Sequence, residues 1–280
     1  AKQKLRERLA KAREKSLAVR KAKAEEKKKN KKPVGRPKKK QEEIVVLKMQ
    51  EIVLVRKLTL WIFFLPLVAI NTCLLISINY DFLEGTIFAV DQIGRSGFTI
   101  PYLDGSLSIS RAARTFPQYL VFKPFIIIAS IILIYYWINY NNLINKLRVT
   151  NLNYKFKQFG IISAILLIIH AILLGVSFDV AIFKLFRRVV LVGFIIFEIA
   201  AQANFLFYLN KIKNDLNNYT VPIILKFKII IVSILIFVAL ISIPLLITKG
   251  NTHLKHALEW NYFIGVIIFY LLTFFYWKRN

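Results

Sequence analysis

Three side chains that can bind zinc stand close together near the end of the chain. His253, His256 and Glu259 follow an i, i+3, i+6 spacing, which puts them on one face if residues 252–259 are helical. A zinc site needs a further ligand, or a water held in a hydrolytic pocket, beyond two imidazoles and a carboxylate. The same side chains also suit a solvated loop beside Lys255. We therefore predict no metal site and keep these three residues as the candidates for one.

Polar side chains also interrupt two long apolar segments in the second half of the chain. An ionisable group inside a bilayer is costly, so it marks a candidate proton or substrate path. The alternative is a structural role, in which the polar groups join neighbouring helices by hydrogen bonds. These intramembrane residues are His170, Glu198, Gln202 and Asn204.

We expect His170 and Glu198 to meet. His170 lies 11 residues after Phe159, and Glu198 lies 11 residues before Leu209, at corresponding ends of two consecutive apolar segments. At a rise of about 1.5 Å per residue, both would sit about 16 Å above the same membrane boundary. A carboxylate in lipid must be protonated or partnered, and an imidazole can supply the hydrogen bond. The sequence thus predicts a pair inside the bundle.

The sequence lacks the motifs of soluble-type active sites. It has no P-loop, no dinucleotide-binding glycine pattern and no nucleophile elbow. Its one cysteine, Cys73, lies within an apolar segment, so neither a disulfide within one chain nor a cysteine-based metal site is available. We predict no cofactor and favour a protein that is not an enzyme.

The elements that must position these residues are membrane-spanning helices. A hydrocarbon core of about 30 Å needs roughly 20 mostly apolar helical residues, and helices satisfy their own backbone hydrogen bonds in lipid. A composition of 56% hydrophobic and 20% charged residues is too apolar for a soluble domain of 280 residues. We predict an all-α integral membrane protein with six spans: Leu58–Asn79, Leu120–Ile138, Phe159–Phe178, Val189–Leu209, Ile229–Ile247 and Trp260–Trp277.

Loop charges predict the orientation of these spans. Three stretches are rich in Lys and Arg: the segment 1–57, the loop 141–158 and the loop 210–228, which ends with Lys228. The loop 80–119 is near neutral. The positive-inside rule therefore places both termini in the cytoplasm and the loop 80–119 outside. Abundant Ile, Lys, Asn and Phe indicate an A·T-rich genome, so we expect a bacterial inner membrane.

A basic segment on the other side departs from this rule. Lys184, Arg187 and Arg188 lie in or beside the connection between the third and fourth spans, which the same counting places outside. The departure is local and leaves the predicted orientation unchanged.

Residues 1–57 form a basic cytoplasmic arm, with 22 Lys and Arg against 7 Asp and Glu. We expect the arm to be partly helical or disordered, and its run KKPVGRPKKK to be a flexible polybasic segment. Three interpretations stay open: attraction to anionic headgroups, nucleic-acid binding through an AT-hook-like Gly-Arg-Pro core, or solvation and topology alone. The cations of this run are Lys31, Lys32, Arg36, Lys38, Lys39 and Lys40.

The predicted outer loop carries a family resemblance. Its stretch IPYLDG, which contains Pro101, Tyr102 and Asp104, is followed by Pro117 and then by Phe122 at the start of the second span. This pattern resembles the hallmark of the Frag1/DRAM/Sfk1 family of membrane proteins. The resemblance extends over 58–277 and implies six spans, cytoplasmic termini, a large first outer loop and a role with lipids.

Three functions are consistent with these features. The first is a non-enzymatic membrane protein of the Frag1/DRAM/Sfk1 type, in which residues 58–280 bind or sense lipid and the arm contacts anionic headgroups of the inner leaflet. The second is a small transporter or lipid-modifying enzyme that uses the intramembrane polar residues or the His253 cluster. The third is a tether that joins the membrane to nucleic acid through the arm. The oligomeric state stays open.

Overall fold

The computed structural model describes residues 13–21, 23, 38–89, 96–147, 155–175, 181–247 and 250–278. Across these residues the fold is all-α, as predicted, and an isolated β-bridge pairs Thr220 with Trp277. Short helical turns, Tyr80–Leu83, Pro101–Asp104 and Ile109–Ala112, lie between the first two long helices. The long helices are α1 Lys38–Ile78, α2 Gln118–Leu147, α3 Phe156–Leu173, α4 Ala181–Lys211, α5 Pro222–Ile247 and α6 Thr252–Tyr276.

Each of these six helices contains a stretch long and apolar enough to cross a membrane. Their outward faces carry large apolar side chains, and Phe237, Leu240 and Phe207 are 60% exposed or more. Such a surface is unfavourable in water and is matched by the acyl chains of a bilayer. The protein is therefore an integral membrane protein with six candidate spans.

The first span begins earlier than the sequence predicted. The apolar part of α1 runs from Met49 to Ile78, nine residues longer at its start than the segment from Leu58. Ile52 and Val55 are buried in the hydrophobic core. These residues thus belong to the apolar part of α1. The chain divides into two compact units, 1–47 and 48–280, and the second unit contains all six spans.

Consecutive helices pack antiparallel against one another. At one end of the α1–α2 pair, which we name the cap end, the Cys73 thiol lies 3.4 Å from the carbonyl oxygen of Gln118. At the other end, which we name the base end, Lys146 forms an ion pair with Glu51. The pairs α2–α3, α3–α4, α4–α5 and α5–α6 are also in contact. Helices α3 and α5 therefore begin at the base end, and α4 and α6 begin at the cap end.

Aromatic side chains fill the core at the base end. A Cβ atom at Gly160 would lie 2.3 Å from the Trp137 ring, so glycine lets α3 rest directly on that ring. Buried rings of this kind contribute large apolar contact areas and favour edge-to-face pairs. The ring cluster contains Tyr136, Trp137, Tyr140, Phe156, Phe205, Tyr208, Phe269, Tyr270, Tyr276 and Trp277.

Candidate functional site

The carboxylate of Glu198 is the centre of a polar site inside the bundle. Glu198 is 1% exposed and accepts hydrogen bonds from three helices. Ser163 Oγ of α3 donates to Oε2 at 2.6 Å, and Gln202 Nε2 of α4 donates to Oε1 at 2.9 Å. Tyr270 of α6 donates its hydroxyl proton to Oε1 as well. Both carboxylate oxygens therefore have partners, which is the condition for keeping such a group in an apolar interior.

The predicted His170–Glu198 pair is wrong. Among the described residues no hydrogen bond joins the two side chains, and Ser163 occupies the position facing Glu198. His170 lies seven residues further along α3, about 10 Å by helical rise. The reason is the register of the two helices: Phe156, the first residue of α3, packs against Phe205, while α4 continues to Lys211. Counting from helix ends assumed that these ends were level, and they are not.

The other two predicted intramembrane residues differ in their contacts. Gln202 is fully buried and lies one helical turn after Glu198, which explains its hydrogen bond. Asn204 is half-buried, and its Oδ1 atom has no hydrogen-bond partner. Two residues along a helix correspond to a rotation of about 200°, so the two amides point in different directions. Only Gln202 belongs to the Glu198 site.

A second ionisable residue, Lys228, is buried near the base end. Lys228 is 0% exposed, and its Nζ atom donates to Thr273 Oγ1 at 2.7 Å. The same atom lies 4.0 Å from the Phe269 ring centroid, 5.3 Å from that of Phe205 and 5.7 Å from that of Tyr276. A cation over ring faces gains electrostatic attraction that partly replaces lost hydration. Lys228 is thus held by one hydroxyl group and three aromatic rings.

The inclusion of Lys228 in a basic loop was wrong. Helix α5 begins at Pro222, so Lys228 lies on its second turn, where it faces the core. The signal was present in the sequence, because Lys226 and Lys228 are two residues apart on a helix and point to nearly opposite sides. Lys226 is exposed, and Lys228 must then face inward.

The resemblance element, Pro101 to Asp104, folds into a helical turn at the cap end. The exposed carboxylate of Asp104 accepts hydrogen bonds from the Thr99 hydroxyl group and from the backbone amides of Ile100 and Ser106, all at 2.8 or 2.9 Å. These hydrogen bonds lower the pKa of Asp104 to about 2, and the bond from the Ser106 amide has the largest effect. Asp104 therefore orders the loop around the buried Pro101.

This turn is docked onto the first turns of α6. Gly105 has φ 60°, and a Cβ atom there would lie 1.7 Å from the carbonyl oxygen of His253, so only glycine fits. The Trp260 indole donates to the carbonyl oxygen of Leu107 at 2.8 Å. We name the segment 99–113 the cap.

Tyr102 joins the cap to two helices. Its hydroxyl group donates to Asn71 Oδ1 of α1 at 3.0 Å, and its ring packs edge-on against Trp260 of α6. Its carbonyl oxygen accepts a hydrogen bond from the Asn261 side chain at 2.7 Å. Burial raises the pKa of Tyr102, and the hydrogen bond to Asn71 opposes this effect. Tyr102 is thus a structural link between α1, the cap and α6.

Pro117, the last residue of the resemblance, precedes α2. It is buried, it follows a cis peptide bond, and its carbonyl oxygen accepts a hydrogen bond from Leu120. The neighbouring Gln118 amide lies 3.0 Å from the Thr115 hydroxyl group and 3.4 Å from that of Ser77. Pro117 therefore belongs to the junction at which α2 begins beside the end of α1.

Of the three candidate zinc ligands, His256 and Glu259 bind the cap with their side chains, and the three do not form a metal site. His256 Nδ1 donates to the carbonyl oxygen of Gly105 at 3.0 Å, and Glu259 accepts from the amide of Ser110 at 3.4 Å. His253 is exposed, and its backbone carbonyl meets Gly105. Within the described ranges no group of three His, Cys, Asp or Glu residues has the arrangement of a metal site.

The polybasic segment is only partly within the described residues. Lys31, Lys32 and Arg36 lie outside them, and Lys38, Lys39 and Lys40 form the start of helix α1. Residues 13–21, earlier in the arm, are helical and exposed.

Comparison with known proteins gives no relative for this chain. No family model, curated protein or solved structure matches it. The resemblance to the Frag1/DRAM/Sfk1 family therefore stays a prediction.

Proposed function

We propose that this is a non-enzymatic membrane protein of the Frag1/DRAM/Sfk1 type that binds or senses lipid, with its polybasic arm drawn to anionic headgroups of the inner leaflet. The helix bundle forms the membrane-embedded part, and the cap packs over one end of it. The arm supplies an electrostatic contact that depends on lipid charge and on salt.

The attachment of the polybasic run to the first span carries this proposal. Lys38, Lys39 and Lys40 open the same helix whose apolar part begins at Met49, nine residues after Lys40. Covalent attachment over so short a length keeps these cations at a high effective concentration near the headgroups. Each Lys or Arg near an anionic surface contributes about 1 kcal/mol.

The arrangement around Glu198 supports a role other than catalysis. Its two oxygens are already engaged by donors from three helices, and His170 is about two turns away. A general acid or base must itself lie within hydrogen-bond reach of the substrate, with a site free to give or take the proton. A carboxylate that already accepts three hydrogen bonds from the protein serves better as a junction between α3, α4 and α6.

Vesicle binding by a peptide of residues 1–57 tests the proposal. The vesicles contain a mixture of neutral and anionic lipid. We expect the triple variant Lys38→Gln, Lys39→Gln, Lys40→Gln to bind them more weakly than the wild-type peptide, with a loss of up to about 3 kcal/mol in binding free energy. Wild-type binding should fall as salt is added. An unchanged partition coefficient for the triple variant would contradict the proposed role of the arm.

Arg36→Lys separates the lipid proposal from the nucleic-acid alternative. The change keeps the charge, so vesicle binding should stay within about twofold of wild type. It removes the guanidinium group, which inserts into narrow A·T-rich minor grooves in AT-hook-like recognition. Tight binding to A·T-rich DNA that Arg36→Lys abolishes, together with weak binding to vesicles, would favour the tether.

A further inference from the structure

Positively charged side chains gather at the cap end between α2, α3 and α4. Arg114 precedes α2, Lys123 lies in its second turn, and Arg187 and Arg188 lie in the second turn of α4. The first three are half-buried, and Arg188 is exposed. Arg187 is within electrostatic range of both Arg114 and Arg188, which repel it. We name these four residues the cap-end cations.

The end of α3 brings Lys123 and Arg114 to one place. A Cβ atom built at Gly175 would lie 3.2 Å from the carbonyl oxygen of Arg114 and 3.9 Å from Lys123 Nζ. Because Gly175 has no side chain, the chain just after α3 can approach both residues closely. The Lys123 ammonium group also lies 5.3 Å from the centroid of the Tyr119 ring. That contact steadies the lysine without neutralising it.

The positive charge of this cluster is not balanced within the described residues. No carboxylate in the described ranges forms an ion pair with any of the four side chains. His170 lies near Arg187, is 6% exposed, and has no hydrogen-bond partner for its Nδ1 atom. Like charges held close together in a partly buried place repel strongly unless an anion lies between them.

We propose that the cap-end cations form a binding site for the phosphate group of an anionic phospholipid. Guanidinium groups bind phosphate oxygens with paired hydrogen bonds, and a lysine adds a point charge. Basic pockets between transmembrane helices hold lipid headgroups on the cytoplasmic side of membranes, and the cap-end cations would do the same on the opposite side. The site would also explain why Arg187 and Arg188 depart from the positive-inside rule.

The surroundings favour a lipid over a soluble phosphate. The apolar side chains that flank the two arginines on α4 are exposed: Leu185 is 60% exposed, Phe186 50% and Val189 58%. A phosphate bound by the arginines would therefore place attached acyl chains along an apolar helix face. The site rests on the proposed lipid-binding function, but it contains no residue of the arm, so its test can fail while the arm still binds vesicles.

Binding of a short-chain anionic lipid to the full-length protein tests this site. The protein carries the Gln changes at Lys38, Lys39 and Lys40, which weaken arm binding, and is held in neutral detergent. The probes are monomeric dihexanoyl phosphatidylglycerol, dihexanoyl phosphatidylcholine and inorganic phosphate, with affinity measured by thermophoresis. We expect phosphatidylglycerol to bind most tightly, and the double variant Arg114→Gln, Arg187→Gln to weaken it by about tenfold or more.

Arg111→Gln is the matched control, because Arg111 is an exposed arginine of the cap that lies outside the cluster. We expect a change below about twofold. An equal loss in the control and the double variant, or no loss in either, would overturn the site. Competition by inorganic phosphate at the same concentration as the lipid would overturn the choice of a lipid.

Two further variants keep the test decisive. Arg187→Lys retains the charge but loses the paired hydrogen bonds, so it should weaken lipid binding by about threefold even if the Gln variants fail to fold. Asp179→Asn changes the acidic residue of the α3–α4 connection, which lies outside the described residues. If Asp179→Asn binds lipid and the wild type does not, the proposal is overturned. The carboxylate of Asp179 would then neutralise the cap-end cations in the wild type.

Discussion

Glu198 and Lys228 are both ionisable, both buried in the bundle, and held in different ways. Glu198 accepts hydrogen bonds from Ser163, Gln202 and Tyr270, so nearly all of its bonding capacity is used. Lys228 has one hydroxyl partner and otherwise contacts ring faces. The first side chain connects helices by directed bonds, while the second fills space in an aromatic core.

The difference shows what each position requires of its residue. At Glu198 three donors from three helices need an acceptor, and removing it would leave them unpaired in an apolar interior. At Lys228 the rings would accept an apolar side chain of the same length, because their packing does not depend on charge. A buried hydrogen-bond acceptor is therefore essential at Glu198, whereas the buried amine is replaceable at Lys228.

The largest effect should come from Glu198→Ala. The change removes three hydrogen bonds, worth about 0.6–1.5 kcal/mol each in a membrane bundle, and leaves a cavity. We expect a loss of about 2–4 kcal/mol in the free energy of unfolding, measured by denaturant titration in mixed micelles. Glu198→Gln should lose less, since its amide oxygen still accepts.

Asn204→Ala is the control for this prediction, because the Asn204 oxygen has no hydrogen-bond partner to lose. Its unfolding midpoint should stay close to that of the wild type. Equal midpoints for Glu198→Ala and Glu198→Gln would show that the carboxylate oxygens do not hold the helices together.

Lys228→Met should have a smaller effect. Methionine matches the unbranched lysine stem, packs well against rings and removes the cost of burying an amine. We expect the free energy of unfolding to change by less than about 1 kcal/mol, in either direction. Lys228→Ala should lose about 2 kcal/mol through the cavity that it creates. A loss above 2 kcal/mol in the Met variant would mean that the amine itself is required, and the contrast with Glu198 would fail.

Much of this fold could be predicted from sequence, because the length of an apolar segment is a local property. All six spans were found, while their ends were displaced: α1 is apolar from Met49, and α4 begins at Ala181, ahead of the predicted Val189. Helices continue past their apolar parts, so hydropathy marks the membrane-embedded portion and not the helix bounds.

The partners of the polar residues were beyond this kind of reasoning. The cost of a carboxylate in lipid identifies Glu198, but its pairing with Ser163 and Tyr270 depends on the register between helices, which shows in contacts such as that of Phe156 with Phe205. A count of loop charges misses Lys228, because it includes this residue in the loop 210–228. Lys228 lies two residues after Lys226 on a helix, so the two side chains point to nearly opposite sides, and this indicates that one of them faces the core.

The smallest expected effect concerns Asp104, a carboxylate that is hydrogen-bonded like Glu198 but exposed. Its pKa, about 2 in the folded protein, lies below the ordinary aspartate value of about 3.9. A lowered pKa stabilises the fold above the unfolded value, and this stabilisation disappears as the pH falls from about 4 to 2. The thermal midpoints of the wild type and of Asp104→Asn should therefore differ at pH 6 and converge towards pH 2.

Asp81→Asn is the control, because Asp81 is an exposed aspartate in the same connection, and it should not change the midpoint in this way. A constant gap between wild type and Asp104→Asn from pH 6 to pH 2 would show that the loop does not depend on the ionised carboxylate. A hydrogen-bonded carboxylate would then stabilise the fold only where it is buried, as Glu198 is, and not where it is exposed, as Asp104 is.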